Sequence, residues 1–97
     1  MEQDWLITTL DEVERAGRDA LDAVNEALAC LLVPRRERSA GVPLAEIFDG
    51  LNARGWQSTR RRADKAVKGF ESAIMRLRAR VIVALVDEEG RAYDVLG

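Results

Sequence analysis

Apolar residues recur along the first third of the chain at Leu6, Leu10, Val13, Gly17, Ala20, Val24, Ala27 and Leu31, in steps of 4, 3, 4, 3, 4, 3 and 4. That heptad rhythm predicts a long amphipathic helix with a seam suited to another helix. Leu21 and Leu28 widen the stripe, so the helix is expected to pack on more than one neighbour. The run "TLDE", Thr9 to Glu12, has the form of a capping box and places the regular start there. Trp5, Leu6 and Ile7 before it either form an apolar arm or extend the helix. Pro34 is expected to stop the helix, because proline lacks an N–H and restricts the residue before it. "PRRERSAG" then reads as a polar, basic connector.

The pattern predicts two further helices. Leu44, Ile47, Phe48 and Leu51 share one helical face between Pro43, suited to a first turn, and Gly55, suited to the position after a last turn. After "GWQST", with Ser58 or Thr59 as N-cap candidates, Ala63, Ala66, Val67, Phe70, Ala73, Ile74, Leu77, Val81, Ala84 and Leu85 keep a helical period. Gly69 interrupts this helix and suggests a bend or a close approach. The tail reads two ways. β-Branched residues allow a hairpin of Val81–Val86 and Arg91–Leu96 around "DEEG", whereas the helical rhythm carries the third helix on to about Asp87, with Gly90 ending it. The rhythm favours helix.

Charge changes this picture more than composition does. Residues 1–33 hold eight acids and two bases, residues 34–80 twelve bases and five acids, and residues 81–97 four acids and one base. A basic middle between acidic ends points to an anionic partner, or to neutralisation by the ends within the fold or across a dimer. Three consecutive arginines, Arg60, Arg61 and Arg62, stand where the third helix is expected to start, although cations are disfavoured at that end of the helix dipole. A phosphate in front of them would reverse the balance. Acids offer another answer: Asp64 lies beside them and the first helix is acidic. Trp56, before the arginines, suits a core or hinge anchor better than base stacking.

The chain has no histidine and no glycine-rich phosphate loop, which removes the common catalytic triads, imidazole proton shuttling and most zinc sites. No catalytic residue, metal ligand or cofactor is expected, and an enzyme is the least favoured reading. The single cysteine, Cys30, cannot form an internal disulfide and suits a buried structural thiol. With an acidic N-terminus and no apolar run near the roughly 20 residues that cross a bilayer, the expected location is cytoplasmic, away from membranes.

"VPLAEIFDGLNARGWQSTRRRADKAV" resembles a helix-turn-helix DNA-binding unit over about residues 42–70. Leu44, Glu46, Ile47 and Leu51 match the first helix of that family. Ser58 to Arg62, followed by Ala63 and Val67, match its recognition helix. "NARGWQ" is longer than the usual turn, and the third helix is longer than most recognition helices. "DEEGRAY" is similar to the wing of winged-helix regulators if the hairpin reading holds. With 13 arginines, 2 lysines and 14 alanines, the composition resembles that of actinobacterial proteins.

The fold expected is all-α, a helix-turn-helix with two long amphipathic helices, the alternative being a winged helix with a C-terminal β-hairpin. Residues 1–34 would be the dimerisation helix and residues 35–97 the helix-turn-helix unit with its long third helix and short tail. The resemblance implies a transcriptional regulator that binds double-stranded DNA as a homodimer. Ser58, Thr59, Arg60, Arg61, Arg62, Lys65, Lys68 and Arg54 would contact DNA, and Leu10, Val13, Val24 and Leu31 would form the dimer seam. Arg35, Arg36 and Arg38 could add phosphate contacts. The competing reading is a non-enzymatic helical adaptor or structural subunit that packs on a protein partner.

Overall fold

The computed structural model describes residues 4–89, which form four helices: α1 (Trp5–Cys30), α2 (Leu32–Ser39), α3 (Leu44–Ala53) and α4 (Trp56–Glu89). The fold is all-α, with no strand among the described residues. Helix α1 lies antiparallel along α4. Thr9 meets Arg80, Gly17 lies under the Phe70 ring, and Glu26 pairs with Arg62. Helices α2 and α3 fill the connection between the two long ones.

Helix α1 starts earlier than the capping-box pattern implies. Asp4 is its N-cap, its Oδ1 accepting from the N–H groups of Leu6 (2.7 Å) and Ile7 (3.4 Å). Trp5, Leu6 and Ile7 therefore extend the helix. Thr9 instead serves the interior. It is 0% exposed, and its Oγ1 donates to the Trp5 carbonyl (2.7 Å) while accepting from Arg80 Nη1 (2.6 Å).

Pro34 acts upstream of itself. Its missing N–H and its ring both fall on the carbonyl of residue i−4, which is Cys30, the last residue of α1. The chain turns at Leu31 and resumes helix at Leu32, so Pro34 sits in the first turn of α2, where no N–H is needed. "PRRERSAG" is thus mostly helix rather than an irregular connector, since Arg35, Arg36, Glu37 and Arg38 are good helix formers. Gly41 and Gly55, at φ 84° and 81°, end α2 and α3 in the left-handed conformation that glycine adopts without strain.

The seam between the long helices is made of small residues. Ala20, Ala23 and Ala73 are buried, and Gly17 comes so close to Phe70 that an added Cβ would lie 3.0 Å from the ring. Gly69, by contrast, is exposed, with nothing within 4 Å of the place a Cβ would take, so the close approach expected there occurs at Gly17. Ile47 and Leu51 are the buried part of α3, whereas Leu44 and Phe48 of the same face are exposed. Cys30 is half-buried rather than enclosed.

The tail follows the helical rhythm. Val81–Val86 lie in the last turns of α4, and Val81, Ile82, Ala84 and Leu85 are half-buried there, so packing overrides the β-branched preference of Val81 and Ile82. The winged-helix alternative loses its first strand on this ground. Gly90 and the second strand, Arg91–Leu96, lie outside the described residues.

Three substitutions test this packing. Gly69→Ala should stabilise the fold by about 1 kcal/mol, because alanine improves an open helix interior, whereas Gly55→Ala should cost about 1 kcal/mol at its positive φ. Urea unfolding checks both, and a destabilising Gly69→Ala would contradict a continuous α4. Thr9→Val should cost about 1 kcal/mol, and a double-mutant cycle with Arg80→Met should show coupling between the two positions.

Candidate nucleic-acid interface

Helices α3 and α4 are joined by only two residues, Arg54 and Gly55. Gly55 N–H donates to the Asn52 carbonyl (3.1 Å), and its positive φ turns the chain directly into α4. The turn is therefore shorter than "NARGWQ" suggests, because Asn52 and Ala53 still belong to α3 while Trp56 and Gln57 already belong to α4. Trp56 is half-buried at this corner, as an anchor would be.

This boundary changes the electrostatics of the arginines. Ser58 and Thr59 are not N-caps; they lie inside the first turn of α4. Thr59 N–H already donates to the Gly55 carbonyl, and its hydroxyl lies 3.2 Å from the same oxygen. Arg60, Arg61 and Arg62 are the fifth to seventh residues of the helix. The dipole acts mainly over the first turn, so the three cations stand largely beyond its repulsion. Their position needs no phosphate to offset the dipole.

Helical periodicity then separates the basic residues by direction. Thr59, Ala63, Ala66, Phe70, Ala73 and Leu77 are the half-buried or buried positions that line the α1 side. Arg62 lies at the edge of that side, and its Nη1 is 2.8 Å from Glu26 Oε2 of α1. Both partners are more than half exposed, so the pair contributes at most about 1 kcal/mol, but it engages the guanidinium. Arg54 is engaged as well, 3.6 Å from Glu37 of α2. Arg60 makes one long contact, 3.4 Å, to Gln57 Oε1.

Ser58, Arg61, Lys65 and Lys68 follow one another at helical spacing along the side of α4 opposite the seam, and all four are exposed. Arg61, Lys65 and Lys68 join none of the ion pairs among the described residues. The nucleic-acid candidates thus divide: a solvent-facing basic stripe, two arginines held by acids, Arg60 exposed beside Gln57, and Thr59 turned inward. In the connector, Arg35, Arg36 and Arg38 are exposed on α2. The seam candidates are split too. Leu10 and Leu31 are exposed, while Val13 and Val24 are half-buried against the edge of α4.

The two broad faces of the α1–α4 hairpin differ in chemistry. One carries a shallow groove floored by alanines, Ala23, Ala29 and Ala66, with Asp19, Asp22, Asn25, Glu26 and Arg62 around them. The other carries two adjoining grooves that share Val24, one lined by Gly17, Leu21 and Phe70 together with Glu14 and Arg18, the other by Leu28, Leu31 and Val67 together with Asp64, Lys68 and Glu71. Sequence reasoning missed this sidedness. The signal was present in the spacing of Leu21 and Leu28 from Leu10, Gly17 and Leu31, which puts all five on one flank of α1. No group of metal-ligating side chains occurs among the described residues, and no helix there is long and apolar enough to cross a membrane.

Comparison of the chain with protein-family models, with curated proteins and with solved structures finds no match.

Proposed function

We propose that the protein binds duplex DNA through the outer side of the first half of α4 and acts as a regulator of transcription rather than as an enzyme. The observation that supports this is the stripe Ser58, Arg61, Lys65 and Lys68, exposed and in no ion pair among the described residues, while the neighbouring Arg54 and Arg62 are paired with acids. Arg61 to Lys68 spans about 10 Å of helix at 1.5 Å per residue. One DNA strand presents a phosphate about every 3.4 Å along the axis, so three cations over that length match about three phosphates.

In this reading α3, its two-residue turn and α4 act as a helix-turn-helix unit. The start of α4 approaches the major groove while α1 backs its opposite side. Arg60, nearest the helix start, is the residue placed for bidentate contact with guanine, and Arg61, Lys65, Lys68 and Ser58 hold the backbone. Arg62 and Arg54 would join only by leaving Glu26 and Glu37, so they are expected to contribute less.

The helical adaptor is the second reading, and the exposed leucines of the apolar face favour it. The two separate on a single column: an adaptor passes through heparin or duplex DNA at physiological salt, and the DNA-binding protein is retained.

Arg61→Ala with Lys65→Ala should weaken binding to random duplex and flatten the slope of log affinity against log salt by about 2, since each phosphate contact contributes about 0.9. Arg62→Ala should change it less. Fluorescence anisotropy at several salt concentrations measures both. Equal affinity of the double variant and the parent protein would remove this reading.

A further inference from the structure

We infer that the apolar face of the hairpin is covered by a second copy of the chain, with the two-fold axis parallel to the long helices. Leu21 and Leu28 are 64% and 56% exposed on that face, and Leu10 and Leu31 stand beside them. Two observations select the partner and its orientation.

The first is register. Thr9 meets Arg80, Gly17 meets Phe70 and Glu26 meets Arg62, so a residue of α1 stands level with the α4 residue whose number makes a sum near 88. A two-fold axis along the helices preserves height, so Leu21 of one copy faces the level of Val67 in the other. Asp64, Val67, Lys68 and Glu71 form a four-residue hole of the i, i+3, i+4, i+7 kind, and they line one wall of the groove on that face. Leu21 is the knob that fits it, entering between the aliphatic stems while the charged tips stay at the rim.

The second is charge. Helix α1 carries six acids and two bases, whereas α4 carries eight bases and five acids. An axis along the helices places each acidic α1 between its own basic α4 and the partner's, so charges alternate around a four-helix bundle. An axis perpendicular to the helices would set α1 on α1 and α4 on α4, like charge on like. The inference concerns the apolar face and does not rest on DNA binding by the outer side of α4, with which it shares only Lys68, at the rim of the hole.

The test is done without DNA. Sedimentation should give a dimer for the full chain, and Leu21→Asp should shift it to a monomer that keeps its helical circular dichroism. A spin label on Asn52→Cys in a Cys30→Ser background reads the orientation, since Asn52 is exposed near the α3–α4 turn. With the axis parallel to the helices, both labels lie at one end, within about 35 Å at the 8–10 Å spacing of packed helices. With the perpendicular axis they lie at opposite ends of a molecule 65 Å long. A monomeric parent protein, a Leu21→Asp variant that stays dimeric, or a label separation above about 50 Å would overturn the inference. If Leu21→Asp unfolds, the label distance in the parent background still decides. Random-duplex binding, measured separately, tells failure of this inference from failure of the DNA reading.

Discussion

The contact between α1 and α4 is the constraint from which the rest of the structure follows. Small residues, Gly17, Ala20, Ala23 and Ala73, let the two helices approach closely, and the Phe70 ring rests on the bare backbone of Gly17. The cost of such a seam is area. Alanine buries little, and a layer one helix thick cannot enclose the larger side chains beside it. The molecule extends 65 × 31 × 16 Å, and its thinnest dimension is near that of a single helix layer. Leucines at the flank of α1 consequently stay in water, although burial of each would be worth about 2 kcal/mol. Thr9 with Arg80 adds a polar tie near one end, placing the two helices in register where hydrophobic contact alone would permit sliding.

That register also sorts the charges. Because Glu26 stands level with Arg62, the third arginine of the cluster is drawn toward α1, while Arg61, 100° further round, points away. A run of three like charges therefore does not act as one unit. One member is part of the fold's own electrostatics and another faces solvent. The helix boundary makes the same point from a different direction. With α4 beginning at Trp56, the arginines lie past the strongest part of the dipole, so their presence is compatible with stability before any ligand is considered.

Much of the fold was legible in the chain. The helical period, the stop near Pro34, the role of Gly55 and the helical tail can be read from residue spacing and from the two amino acids with restricted or permissive backbones. What was not legible is which apolar stripe meets which neighbour. The heptad draws the eye through its large members, Leu6, Leu10 and Leu31, yet the seam with α4 uses its small ones, Gly17 and Ala20, together with Thr9 and Ala23 beside them. Hydrophobicity weighs leucine above alanine, while close helix packing rewards the opposite. In the candidate site, the basic cluster was visible as composition, but the pairing of Arg62 with Glu26 joins residues 36 positions apart and no local pattern announces it. The two-residue turn was hidden because Asn52, Ala53, Trp56 and Gln57 are compatible with either helix or loop.

The two proposed surfaces constrain one another through the direction of the symmetry axis. If the stripe binds DNA, its three cations would release about three counterions, for a salt slope near −2.7 and only weak attachment to a duplex. An axis along the helices would put the starts of both α4 helices at the same end of the bundle but turn their outer sides in opposite directions, so each stripe would meet a duplex of its own and the slope for each would stay near −2.7. A perpendicular axis would keep both stripes on one side of the bundle but separate them by most of the length of the molecule. Contact between unlike helices and joint attachment to one duplex therefore make opposite demands on the axis, and the charge asymmetry between α1 and α4 favours the pairing in which the stripes act singly.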